Sequence, residues 1–197
     1  MQTNELITWP TLCVFGDSIV RGSDDLEAGG WVARLRLDFN SREKISVYNL
    51  GVDGDRVEQL LRRLPVEAAA RNASVIVISI GANDLGWHGT SGTDPGLFRE
   101  RFGQILAKAG RFTKRLLVLG LLNVDEANES HGVSNSQVIA FNEIIEGLAR
   151  AHQAEFLTLY GLLEPGDFVD GLHPNTSGHV KLAALLKREL EQLGWDE

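Results

Sequence analysis

The chain predicts an α/β fold: a mostly parallel sheet of about five strands with helices on both faces, three layers in all. Three observations predict it. Short apolar runs recur at Leu12–Phe15, Ile45–Tyr48, Val75–Ile80, Leu116–Leu122 and Phe156–Leu159, each of strand length. Between them lie stretches with apolar residues at helical spacing. No internal repeat, low-complexity tract or Pro/Ser-rich linker interrupts the alternation, so residues 1–197 are expected to form a single domain.

Taken in order, Leu12–Phe15 is uninterrupted and reads as a strand buried on both faces. Trp31, after Gly29-Gly30, reads as a helix-packing residue. Ile45–Tyr48 alternates more, which suits an inner strand with one partly polar face. Val75–Ile80 and Leu116–Leu122 are again continuous, while Phe156–Leu159 is weaker. Val138, Phe141, Ile145 and Leu148 fall on one helical face, as do Leu182, Leu185, Leu186, Leu190 and Leu193, with Gly194 as a stop. Strands alternating with helices imply right-handed crossovers and a parallel sheet. Two loops, 85–95 and 123–134, are long and polar, and a lid or a plain surface excursion accounts for either one.

Composition narrows the function. A chain of 197 residues with 43% hydrophobic content can bury a substantial core. With 19 basic and 27 acidic residues it has a net charge of −8, so no nucleic-acid partner is expected. Cys13 is the single cysteine, which excludes an intramolecular disulfide, leaves a Cys-based zinc site short of ligands and fits a reducing compartment. The stretch Met1-Gln2-Thr3-Asn4-Glu5 lacks the basic and apolar regions of a secretory signal. No apolar run approaches the length of a membrane span. A cytoplasmic protein with no stable membrane association is expected.

In an open parallel sheet, ligands bind beyond the carboxyl ends of the strands. Ser18 in Gly16-Asp17-Ser18 follows the first strand, Gly51 in Asn49-Leu50-Gly51 the second, and Asn83 in Gly81-Ala82-Asn83-Asp84 the third. Taken singly, each segment is better explained as a turn or a helix cap. Their shared position at one sheet edge is what singles them out. The C-terminal Asp170-Gly171-Leu172-His173-Pro174 places a carboxylate and an imidazole three residues apart, the spacing of one face of a helical turn. That pair suits a carboxylate orienting an imidazole, which in turn activates a serine hydroxyl. A solvated loop pair and a metal pair are the alternatives. Against metal, no further cluster with ligand spacing appears, and His179 sits inside a helical pattern.

Phe15-Gly16-Asp17-Ser18, Asn49-Leu50-Gly51, Gly81-Ala82-Asn83-Asp84 and Asp170-Gly171-Leu172-His173-Pro174 resemble, in order and position, the four blocks of the GDSL or SGNH hydrolase family. The resemblance spans residues 15–174 and is extended by Gly178-His179 with the closing helix. It implies a flavodoxin-like α/β/α fold, with Ser18 as nucleophile, His173 as base and Asp170 as its orienter. It implies an oxyanion hole from the Ser18 and Gly51 backbone N–H groups and the Asn83 side-chain amide. The implied activity is hydrolysis of a small-molecule carboxylic ester through an acyl-enzyme, short acyl esters or acetylated sugars being favoured, with no cofactor and no metal. A thioesterase or lysophospholipase, an acyltransferase with the same triad, and a non-catalytic binding module are the rival readings.

Two departures from familiar patterns stand out. Asp53 occupies a position where a small residue is commoner in the family, and either borders the pocket or caps the following helix. Val20 stands where a Gly-x-Ser-x-Gly elbow would need its second glycine, which argues against a standard α/β-hydrolase. Trp87 and His88 follow the third block and are candidates for lining a substrate pocket, with simple loop packing as the alternative.

Overall fold

A computed structural model describes residues 9–41, 45–87, 89–128 and 132–195. Five parallel strands form one sheet: β1 Thr11–Gly16, β2 Ser46–Gly51, β3 Val75–Ser79, β4 Arg115–Leu119 and β5 Glu155–Leu157, in the order β2-β1-β3-β4-β5. β1 is an inner strand, pairing Gly16 with Gly51 on one side and with Ser79 on the other. Its residues Leu12, Cys13, Val14 and Phe15 are fully buried, as a continuous apolar run between two covered faces requires.

Among the described residues the α-helices are α1 Ser18–Arg21, α2 Trp31–Ser41, α3 Val57–Ala70, α4 Pro95–Ala109, α5 Asn135–Ala151 and α6 Thr176–Gln192. α2 packs on α6, whereas α3, α4 and α5 pack in succession. The split follows from handedness. The crossover from β1 to β2 runs opposite to those linking β2, β3, β4 and β5, so right-handed connections send its helix to the other face. The chain therefore reverses direction between β1 and β3, and a crevice opens at their carboxyl ends.

The structure refines the expected strands. β2 runs on through Asn49-Leu50-Gly51, a segment expected to follow it, and it is an edge strand with Tyr48 and Asn49 exposed. β4 stops at Leu119, although Leu121 and Leu122 are still buried. There Asn142 of α5 takes over the role of a strand neighbour: its Oδ1 accepts from the Leu121 N–H at 2.6 Å and its Nδ2 donates to the Leu121 carbonyl at 3.1 Å. A buried backbone satisfied by a side chain has the same apolar signature as a strand. Among the described residues, no helix is long and apolar enough to cross a membrane.

Candidate active site

Ser18 opens α1 two residues after β1. Asp17 caps that helix, its Oδ1 accepting from the Ile19 N–H at 3.0 Å. The helix lies close against both neighbouring strands because glycines stand beneath it. A Cβ on Gly16 would meet the Val20 side chain of α1 at 2.3 Å, and one on Gly51 would meet the Arg21 nitrogen at 2.2 Å. Arg63 of α3 fixes the end of β1 from outside, donating to the Gly16 carbonyl at 2.9 Å while paired with Asp55 at 2.7 Å.

The C-terminal motif reaches Ser18 from the segment before α6. Ser18 Oγ lies 2.9 Å from His173 Nε2, and His173 Nδ1 lies 2.8 Å from Asp170 Oδ2. The sequence spacing suggested a helical turn for this pair, but the segment is a loop of bends. Asp170 Oδ1 accepts from the backbone N–H groups of Leu172 at 3.0 Å and His173 at 2.7 Å, an Asx-type turn with Gly171 at φ 86°. A single antiparallel bridge, Phe168 to Pro174, closes the loop, and the Asp125 N–H donates to the Gly171 carbonyl at 2.9 Å, tying it to the segment after β4.

Partial burial pushes the Asp170 carboxyl up, but the His173 imidazole and the two backbone donors outweigh it and hold the group below the ordinary carboxylate range. An ionised Asp170 accepting from Nδ1–H leaves the Nε2 lone pair facing the serine hydroxyl. Such an arrangement can draw a proton from the hydroxyl as it attacks an electrophile. Beside it, the Asp17 carboxyl is buried, with no cation paired to it among the described residues, and desolvation raises it to about 7 against the backbone bond from Ile19.

Ser18 and His173 open into a depression of about 390 Å³ lined by Arg21, Ser23, Asp24, Asp53, Gly54 and Asn83 as well. Asn83 donates one amide hydrogen to the Asp55 carbonyl at 3.0 Å, which leaves the second to turn elsewhere. Gly51 is not part of this lining. Its N–H donates to Asn49 Oδ1 at 3.0 Å, and it is packed beneath Asp17 and Arg21. The N–H expected in the oxyanion hole is therefore engaged, whereas Gly54, three residues on, borders the depression with φ 74° and nothing within 4 Å of where a Cβ would stand. Among the described residues, no hydrogen bond engages the backbone N–H of Ser18 or Gly54. In the sequence, Gly54 was passed over as a lining residue because the neighbouring Gly51 completed a familiar-looking triplet. The signal was the flanking pair Asp53 and Asp55, polar residues that mark a loop rather than a strand end.

Asp53 borders the depression rather than capping α3, which begins at Val57 behind Arg56. Its carboxylate pairs with Arg21. The cap comes from the third block, where buried Asp84 accepts from the Val57 N–H at 3.1 Å and from the Thr93 hydroxyl at 2.6 Å, burial raising its carboxyl. Trp87 is buried, its indole N–H donating to the Ala82 carbonyl. It walls a separate apolar cavity of about 20 Å³, lined also by Asp17, Trp31 and Leu172, immediate chain neighbours of Ser18 and His173 among them. His88 lies outside the described residues.

Two buried groups hold the rim in place. His179 Nε2–H donates to the Ser23 carbonyl at 3.0 Å while Nδ1 accepts from the Trp31 N–H at 3.3 Å, the neutral tautomer that burial also favours by lowering its pKa. Asp25 receives both Arg34 Nε and Nη2 at 3.0 Å, the Gly30 N–H at 3.0 Å and the Thr176 hydroxyl at 3.1 Å. Burial raises that carboxyl, but these donors outweigh it and the group lies well below the ordinary range. The loop between α1 and α2 is thereby bolted to the start of α6.

A 2-1-3-4-5 parallel sheet with a Ser-His-Asp chain beyond β1 defines a hydrolase of the α/β/α class. The chain matches the GDSL-like Lipase/Acylhydrolase family over residues 14–181 and belongs to it. It is 28% identical over 189 residues to thioesterase 1/protease 1/lysophospholipase L1 of Escherichia coli K12, covering 93% of this chain and 84% of that protein. Among solved structures it resembles a lipase/acylhydrolase from Enterococcus faecalis, with TM-score 0.78, 24% identity and coverage of 93% and 96% of the two chains. It also resembles an acetylxylan esterase from Geobacillus stearothermophilus, with TM-score 0.76, 18% identity and coverage of 92% and 94%.

Proposed function

We propose that this hydrolase cleaves carboxylic esters of short acyl groups through an acyl-enzyme on Ser18. The observation that carries the reading is the unbroken chain from Ser18 Oγ to His173 Nε2 at 2.9 Å and from His173 Nδ1 to Asp170 Oδ2 at 2.8 Å. Ser18 Oγ attacks the ester carbonyl while its proton passes to Nε2. The resulting imidazolium, stabilised by Asp170, then returns that proton to the alkoxide as the carbon–oxygen bond breaks. Water repeats the sequence on the acyl-enzyme, releasing the acid and regenerating the serine. Three donors would face the tetrahedral oxyanion: the Ser18 N–H, the Gly54 N–H and the second amide hydrogen of Asn83. Gly54 takes the place first given to Gly51, whose N–H is held by Asn49.

The acyl preference takes as the acyl site the separate apolar cavity bordered by Asp17 and Leu172, the chain neighbours of Ser18 and His173, which do not themselves line it. At about 20 Å³ it holds a single group the size of a water molecule or a methyl. A long acyl chain finds no room there without displacing Trp87 or Leu121. Thioesters or lysophospholipids with long acyl chains would demand a larger pocket. The test is fluorophosphonate labelling together with turnover of acetyl, butyryl, octanoyl, acetyl-sugar and thioester substrates by the native chain and Ser18→Ala. Labelling and acetyl-ester hydrolysis that both vanish in Ser18→Ala support the reading. Labelling that persists in the variant, or an intact native chain inert to every ester, overturns it.

A further inference from the structure

Beyond Ser18, Gly54, Asn83 and His173, the depression is lined by Arg21, Ser23, Asp24 and Asp53, and no apolar side chain lines it. Arg21 is the one cation among these described residues, and it is already engaged. Its Nε is paired with Asp53 Oδ1, and its Nη2 donates to Ser23 Oγ at 2.8 Å. Among the described residues, neither Asp53 Oδ2 nor the Asp24 carboxylate receives a hydrogen bond. The side of the site open to solvent thus offers free carboxylate oxygens and a guanidinium whose charge is balanced. The loop that presents Ser23 and Asp24 is held by His179 and by the buried Asp25 cluster, so these acceptors are pre-positioned.

We infer that this rim binds the leaving alcohol and selects uncharged polyhydroxyl alcohols over phosphate-bearing ones, with Asp53 and Asp24 as the discriminating residues. The inference rests on the ester-hydrolase reading above. Hydroxyl groups of a polyol supply the donors that free carboxylate oxygens require. A phosphate would have to displace Asp53 from Arg21 and lie beside Asp24, in the field of a chain of net charge −8. A depression of about 390 Å³ is of a size to take such an alcohol.

The test uses two substrates that differ only by the phosphate, 1-acetylglycerol and 1-acetylglycerol 3-phosphate. The native chain should turn over the neutral ester with kcat/KM at least about tenfold higher. Asp53→Asn should narrow that ratio by about threefold to tenfold, and Asp24→Asn with Asp53→Asn further still. Raising the salt concentration should narrow it in the native chain. Glu143→Gln, an exposed charge change on α5, should leave the ratio where it was. Equal use of the two esters by the native chain overturns the inference, as does a ratio that Asp53→Asn does not move or that Glu143→Gln moves equally. A chain that hydrolyses neither ester and takes no fluorophosphonate label overturns the ester-hydrolase reading itself, a result distinct from a lost preference.

Discussion

Asp170 grips His173 at two points: its Oδ2 meets the imidazole Nδ1 at 2.8 Å and its Oδ1 accepts the His173 backbone N–H at 2.7 Å. One carboxylate therefore sets both the path of the loop and the tautomer of the ring. The two roles separate in Asp170→Asn. An asparagine Oδ1 keeps the backbone bonds, but its amide cannot accept from Nδ1–H and instead favours the tautomer with the proton on Nε2. Asp170→Asn is expected to fold normally and lose about 10³- to 10⁴-fold in kcat. Circular dichroism melts beside ester turnover check it, and turnover within tenfold of the native value would remove Asp170 from the triad.

Asn83 is expected to act on the transition state rather than on binding. Asn83→Ala should lower kcat by about 100- to 1000-fold with a small change in KM, the loss typical of a single oxyanion donor. The variant also frees the Asp55 carbonyl, which now accepts from the Asn83 amide at 3.0 Å. A modest fall in stability is therefore expected as well. A rise in KM at unchanged kcat would assign Asn83 to ground-state binding.

The fold was legible because parallel strands buried on both faces leave continuous apolar runs, and the runs of β1 and β3 end within a residue or two of the strands themselves. Leu121 and Leu122 misled for a physical reason: Asn142 satisfies a buried, non-strand backbone, and burial alone does not reveal its partner. Strand-end convergence drew Ser18 and Asn83 from the sequence and three-residue spacing drew Asp170 and His173, and the structure brings the four together. The geometry joining the last two was not legible. Three-residue spacing fits a helical turn and an Asx turn alike, and only the left-handed Gly171 separates them. Gly51 and Gly54 show the limit of motif reading most plainly. Both are glycines in one short segment, but one is needed because α1 packs against it and the other faces open space. The Arg21–Asp53 pair joins residues 32 apart in sequence and left no local signal.

Trp87 should govern acyl length. Its side chain closes the apolar cavity beside Asp17 and Leu172, so Trp87→Ala would enlarge a space that now holds about 20 Å³. The hexanoyl-to-acetyl ratio of kcat/KM is expected to rise at least about tenfold, at a stability cost of about 3–5 kcal/mol for truncating a buried tryptophan. Chain-length profiles with p-nitrophenyl esters and urea unfolding measure the two effects. Lost stability with an unchanged profile would make Trp87 a packing residue alone.

Asp17 should make stability depend on pH in a direction opposite to that of most carboxylates. Burial raises the folded carboxyl to about 7, whereas the unfolded one titrates near the reference value of about 3.9. Between those values the folded chain binds a proton that the unfolded chain has released. The stability this group contributes is thus fully present below about pH 4 and is lost as pH rises through about 7. Asp17→Asn keeps an oxygen for the Ile19 N–H and never ionises, so it should not share the loss. Relative to the native chain, Asp17→Asn is expected to gain about 2 kcal/mol between pH 5 and pH 8 in urea unfolding. A difference that stays constant over that interval would mean that Asp17 is already ionised in the folded chain at pH 5, and that burial does not govern it.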